Sequence, residues 1–182
     1  MKMGIKMKGL LTILLVFVFI AIGCDKSTTD SKDDENSLKT YSTVNVKTET
    51  DYFNFANNSG SSDAMSVHDL VFYSEKWQPD PAAPIIDDPR FRVRDSLSLS
   101  KLIDTKLEDV TEVPSMSEFV PNYISKEGDW YYMTSAHIVL PYDNVWIVNT
   151  DDGKFPAFKI ISYIDEEGNM GVFNIEWKYL SE

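Results

Sequence analysis

Val172-Phe173-Asn174-Ile175-Glu176-Trp177-Lys178-Tyr179-Leu180 decides the fold. In an extended chain Phe173, Ile175, Trp177 and Tyr179 share one face, and Asn174, Glu176 and Lys178 share the other, because strand side chains alternate with a period of two. A strand patterned in this way buries one face and wets its opposite, as antiparallel sheets do. Working back toward the N-terminus, residues 155–164 form another apolar-aromatic run, set off by Glu166-Glu167-Gly168-Asn169, and residues 145–149 form a third, set off by Asp151-Asp152-Gly153. Both separators have hairpin-turn compositions. The C-terminal part of the chain therefore predicts an antiparallel meander with one buried face.

The same reading extends upstream. Residues 41–46, 52–56, 67–73 and 91–94 alternate or run apolar as short strands do, and the Asn57-Asn58-Ser59-Gly60-Ser61-Ser62 cluster ends the second of them. Residues 78–89 hold four prolines without an apolar period, which predicts a long surface loop. From 99 to 110 the apolar positions Leu99, Leu102, Ile103, Leu107 and Val110 fit either a helical stripe or strand pieces. The expected fold class is all-β, mostly antiparallel, in one domain with at most one or two short helices.

At the N-terminus Lys2, Lys6 and Lys8 precede an apolar run over residues 10–22 and the small residue Gly23, the layout of a secretory signal. The run is short for a membrane span. Its ending, Ile20-Ala21-Ile22-Gly23-Cys24, resembles a bacterial lipobox, in which the cysteine thiol is acylated and becomes the new N-terminus. Cys24 is the chain's one cysteine, so no internal disulfide claims it. Residues 25–43 are almost all Asp, Lys, Ser, Thr, Asn and Glu, the composition of a flexible tether whose coil reach is roughly 25 Å. The expected organisation is a signal peptide over 1–23, a tether over 24–44 and a folded domain over 45–182. An exported, lipid-anchored bacterial protein follows.

The formal charge of −12 becomes more negative still once the leader lysines are removed. Such a surface repels phosphate backbones and anionic headgroups, which argues against nucleic acid and against electrostatic membrane docking. No Gly-x-Ser-x-Gly elbow, Gly-rich phosphate loop or His-Glu-x-x-His is present, and the two histidines lack zinc-ligand spacing, so an enzyme is not expected.

Several blocks together carry a family signal: Leu107-Glu108-Asp109-Val110-Thr111-Glu112-Val113-Pro114, then Trp130-Tyr131-Tyr132, then His137-Ile138-Val139-Leu140-Pro141, then residues 145–155 with Phe158-Lys159-Ile160-Ile161-Ser162-Tyr163 behind them. In order and spacing this resembles the HmuY-like haem-binding lipoproteins over roughly residues 105–180. Upstream, Val67-His68-Asp69-Leu70-Val71-Phe72 stands where that family has a Trp-Asp-x-x-Phe strand, with His68 replacing the tryptophan. The resemblance implies a β fold that grips haem between loops through two axial side chains, and delivers it to an outer-membrane transporter, on a lipoprotein of the bacterial outer membrane at the cell surface or on the periplasmic face.

Haem needs an imidazole or thioether for the iron, an apolar slot and cations near the propionates. His137 is the leading axial candidate implied by the resemblance, set against a surface or strand-edge histidine. His68 is weaker, because its flanks suit a satisfied core histidine. Met133 is a soft donor close to His137 in sequence, so an opposing ligand has to come from elsewhere, with Met116, Met65 and Met170 available. Trp130, Tyr131 and Tyr132 are candidates for the slot or for the core. Arg90, Arg92 and Arg94 project to one side of a strand, where they either meet propionates or balance Asp87, Asp88 and Asp95. The alternative from a different class is a glycan- or protein-binding adhesion module on the same fold, with Trp77, Trp130 and Tyr131 as exposed platforms.

Overall fold

The computed structural model describes residues 36–78 and 80–181. The signal peptide over 1–23 and Cys24 lie outside the described residues.

Eleven strands follow one another: β1 (Lys39–Ser42), β2 (Asp51–Phe53), β3 (Leu70–Trp77), β4 (Ile86–Val93), β5 (Ser98–Leu102), β6 (Val120–Pro121), β7 (Tyr131–Met133), β8 (Val139–Pro141), β9 (Val145–Asn149), β10 (Pro156–Ile164) and β11 (Met170–Tyr179). They form a six-stranded sheet in the order β1-β11-β10-β9-β5-β6, a three-stranded sheet β2-β3-β4 and a separate β7-β8 hairpin. Every pairing is antiparallel. The described residues contain no α-helix, only 3-10 turns at Leu107–Asp109 and Met116–Glu118. The all-β, antiparallel expectation holds.

The pattern that opened the sequence reading is realised in β11, where Phe173, Ile175, Trp177 and Tyr179 are buried in strict alternation. Those side chains meet the three-stranded sheet through an aromatic layer. Phe173 lies 5.0 Å from Phe72, Trp177 lies 5.0 Å from Phe55, and Phe91 lies 5.4 Å from Trp146 and 5.5 Å from Phe158. Each such side chain contributes about 1.5–3 kcal/mol on burial. Leu107, Val110, Phe119 and Leu180 cover the other face of the large sheet against Val145, Ile147 and Ala157. That second layer explains why β9 reads as a continuous apolar run: Val145 through Val148 are buried on both faces.

One open reading is decided and two expectations change. The stripe over 99–110 is a strand followed by a 3-10 turn, because Ser98–Leu102 pairs with β9 along its whole length, and tertiary pairing overrides a helical period. The proline-rich loop is shorter than its composition implied, since β4 starts at Ile86 and contains Pro89. Proline is tolerated there because β4 is the edge strand of its sheet. The tether also ends earlier. β1, read in part as tether, pairs with β11 from Lys39↔Trp177 to Ser42↔Asn174, so the domain includes residues assigned upstream of 45.

Beside β1, Asp51 is 1 % exposed and one of its oxygens accepts from Tyr41 Oη at 2.7 Å and Val44 N at 2.9 Å, while Oδ1 has no partner. Burial pushes its carboxyl above the usual carboxylate range, with the hydrogen bonds from Tyr41 and Val44 pulling part of the way back. A raised folded-state pKa means the folded chain holds the proton more tightly than the unfolded one. The associated stability is present at low pH and is lost as pH rises from the unfolded value through the folded one. Asp51→Asn keeps an acceptor for Tyr41 and Val44 but does not titrate. Urea midpoints should therefore shift in favour of Asp51→Asn, relative to the unmodified chain, as pH rises from about 4 to about 7; a difference that stays flat across that window would refute the buried-carboxyl account.

Candidate functional site

The β7-β8 hairpin pairs with neither large sheet; it packs against β10. Its register sets Met133 opposite Val139. The loop between them closes through His137 N to Thr134 O at 2.9 Å and Thr134 N to Ile138 O at 3.0 Å. His137 takes φ 60°, a left-handed conformation that histidine enters more readily than branched residues do, and its side chain is exposed.

Behind the hairpin, β10 carries a bulge. Pairing runs Ile160↔Ile175 and then Ser162↔Asn174, so two residues of β10 oppose one of β11. Uninterrupted alternation from Phe158 and Ile160 would turn Tyr163 outward. The bulge returns it inward, 2 % exposed, with its ring 4.9 Å from Phe173 and 5.9 Å from Trp130. At the end of the β10-β11 turn, Met170 pairs opposite Ile164.

These elements enclose a cleft of about 90 Å³. His137, Met133 and Val139 line it from the hairpin, and Met170 and Tyr163 from the β10-β11 pair. Lys47, Ile86 and Asp87 complete it. Met133 and Met170 are partly buried and packed against the main core. The Tyr163 hydroxyl is buried without a hydrogen-bond partner. Burial, then Asp87 and Asp88, hold its pKa well above the usual phenol value, so it remains a donor with nothing to donate to. An unsatisfied buried hydroxyl is costly, and this one belongs to a residue that lines the cleft.

Other candidates from the sequence lie elsewhere. His68 is 8 % exposed, with Nδ1 2.8 Å from Ser66 O and its ring edge-on to Tyr52 at 4.9 Å. It does not line the His137 cleft. Trp130 and Tyr131, candidates for the slot, a platform or the core, are 0 % and 1 % exposed and belong to the core. Trp130 Nε1 donates to Pro89 O at 3.2 Å and Tyr131 Oη to Asp88 at 2.7 Å, so the polar edges that a ligand would use are engaged. Of the three platform residues only Trp77 is exposed. Tyr132 is exposed and packs 5.3 Å from Tyr142 on the outer side of the hairpin.

The arginine row is committed within the protein. Arg90 pairs with Asp88 at 2.7 Å and Glu75 at 3.2 Å, Arg92 with Asp95 at 3.2 Å, and Arg94 with Asp151 while its Nε donates to His68 O at 2.7 Å. Met65 and Met116 are 90 % and 57 % exposed and do not line the cleft. Sequence reasoning missed Tyr163 and Lys47, since a bulge and a long-range approach leave no local pattern.

No protein-family model and no curated protein matches the chain. Solved structures do. A protein described as a lipoprotein of Bacteroides fragilis aligns at TM-score 0.56 and 14 % identity over 82 % of this chain and 95 % of its own. Apo PinO from Porphyromonas gingivitis aligns at 0.51 and 11 % identity over 80 % and 98 %, and the apo HmuY analog of Tannerella forsythia at 0.51 and 12 % identity over 82 % and 100 %. The chain has the HmuY-like fold. At these identities the likeness is one of architecture, and an HmuY-like fold leaves the ligand to be argued from the cleft.

Proposed function

We propose that this chain is an exported lipoprotein, acylated at Cys24, whose HmuY-like domain binds haem at the His137 cleft rather than catalysing a reaction. The observation that carries the reading is the meeting of an imidazole and two thioethers from separate elements: His137 and Met133 on the hairpin, Met170 on β11. These are donor types that ligate haem iron. When bound, haem would supply an iron that takes side-chain donors and carboxylates that take hydrogen-bond donors. His137 and Met170, from different elements, would hold the iron. Tyr163 Oη, orphaned and protonated, is assigned to a ligand oxygen, with the Lys47 ammonium supplying positive charge at the same cleft.

The cleft is small. Pockets that enclose drug-sized ligands run to roughly 300–1,000 Å³, against about 90 Å³ here. Haem entry therefore requires the cleft to open at the exposed turn of residues 135–138, which carries His137, because Tyr131 and Val139 hold the hairpin strands in the core. Anchoring on the outer membrane and delivery to an outer-membrane transporter extend the same reading.

Haemin titration of the full chain is expected to give a saturable Soret shift, weakened about tenfold or more by His137→Ala and by Met170→Leu, and less by Tyr163→Phe. No Soret shift in the unmodified chain would remove the haem reading. An unchanged shift in both ligand variants would remove the ligand assignment.

A further inference from the structure

The cleft as it stands is too small for a planar macrocycle but suits a single ion with its ligands. Its donors are unusual: of the four methionines among the described residues, two line this one cleft, together with one of the chain's two histidines. We propose that the His137 cleft is a binding site for cuprous copper, held by the Met133 and Met170 sulfurs and the His137 imidazole.

Three observations carry it. Thioethers are soft and neutral, which favours Cu(I) over zinc or the hard divalent ions, and imidazole serves copper well. Met133 and Met170 are pinned against the main core, Met133 by its register with Val139 and Met170 by its register with Ile164, so neither sulfur is on a freely moving arm. The other described methionines, Met65 and Met116, are exposed side chains away from the cleft. The three proposed donors are neutral, which suits a monovalent ion better than a divalent one, and the Asp87 carboxylate at the same cleft is already paired with Lys76. Among the described residues, no group of three His, Cys, Asp or Glu side chains offers a competing hard-metal site.

Binding involves no change of oxidation state; ascorbate in the assay keeps copper reduced. The test uses the full chain with Cys24→Ser, which removes its one thiol, in competition with bathocuproine disulfonate. The expected result is one Cu(I) withdrawn per chain, with retention weakened about tenfold or more by Met133→Leu, Met170→Leu or His137→Ala. Met65→Leu and Met116→Leu should leave it unchanged. Leucine conserves the methionine volume, so these variants fold. Titration with Ag(I), a diamagnetic stand-in, should move the methyl resonances of Met133 and Met170 and leave those of Met65 and Met116 in place. Failure to withdraw Cu(I), or full retention by the Met133→Leu/Met170→Leu double variant, overturns the proposal. It does not rest on the haem reading: a Soret shift without copper retention sinks this inference alone, and copper retention without a Soret shift sinks the other.

Discussion

Trp130→Ala is expected to lower stability by about 3–5 kcal/mol, and thereby the melting temperature by roughly 10 °C. Trp130 is fully buried, with its ring 4.6 Å from Tyr131, 4.8 Å from Phe173 and 5.9 Å from Tyr163. Alanine leaves a cavity among three aromatic rings and strips the Pro89 carbonyl of its donor at the same time. The total stability of a domain is about 5–15 kcal/mol, so this is a large share of it. Tyr132→Ala, two positions along and exposed, should stay within about 0.5 kcal/mol. Thermal melts of the two variants, followed by circular dichroism, check the contrast. Equal and small losses would mean that Trp130 is not a core residue, and would return it to the set of slot candidates.

A chain beginning at residue 45 is expected to melt at least about 10 °C below one beginning at residue 36 and to self-associate. The shorter chain lacks β1, whose loss leaves β11 as a sheet edge with unpaired backbone groups, a template for association. It also uncovers core. The Tyr41 ring covers Phe53 at 4.4 Å, Lys39 Nζ sits 4.7 Å from the Trp177 ring centroid, and Thr43 Oγ1 accepts from Phe173 N at 3.0 Å. Asp51, already left with one unpartnered oxygen, would lose its Tyr41 donor as well. Size-exclusion profiles and melts of the two chains decide the matter; matching behaviour would restore the tether as far as residue 44.

The arginine row shows how the sequence and the structure divide the evidence. Its spacing puts Arg90 and Arg92 along β4 with Arg94 just beyond it, as the period of two requires. Whether those guanidinium groups face a ligand or a carboxylate depends on what the neighbouring chain presents. Glu75 reaches Arg90 from β3, and Asp151 reaches Arg94 from the β9-β10 turn. Neither partner is near in sequence.

The sequence by itself determined the strands of the C-terminal meander, its two turns and the face of β11 that is buried, because alternation and turn chemistry act over a few residues. It also supplied the donor types, His137, Met133 and Met170, as candidates. Only the tertiary structure decided that 99–102 pairs as a strand while 107–109 forms a 3-10 turn, that Trp130 and Tyr131 belong to the core, and that β1 closes the sheet on a strand more than a hundred residues away. The bulge that turns Tyr163 inward and the packing of the hairpin that brings His137 and Met133 to Met170 are likewise non-local. Such contacts depend on which surfaces remain to be covered once the sheets have packed, and no short window of sequence carries that information.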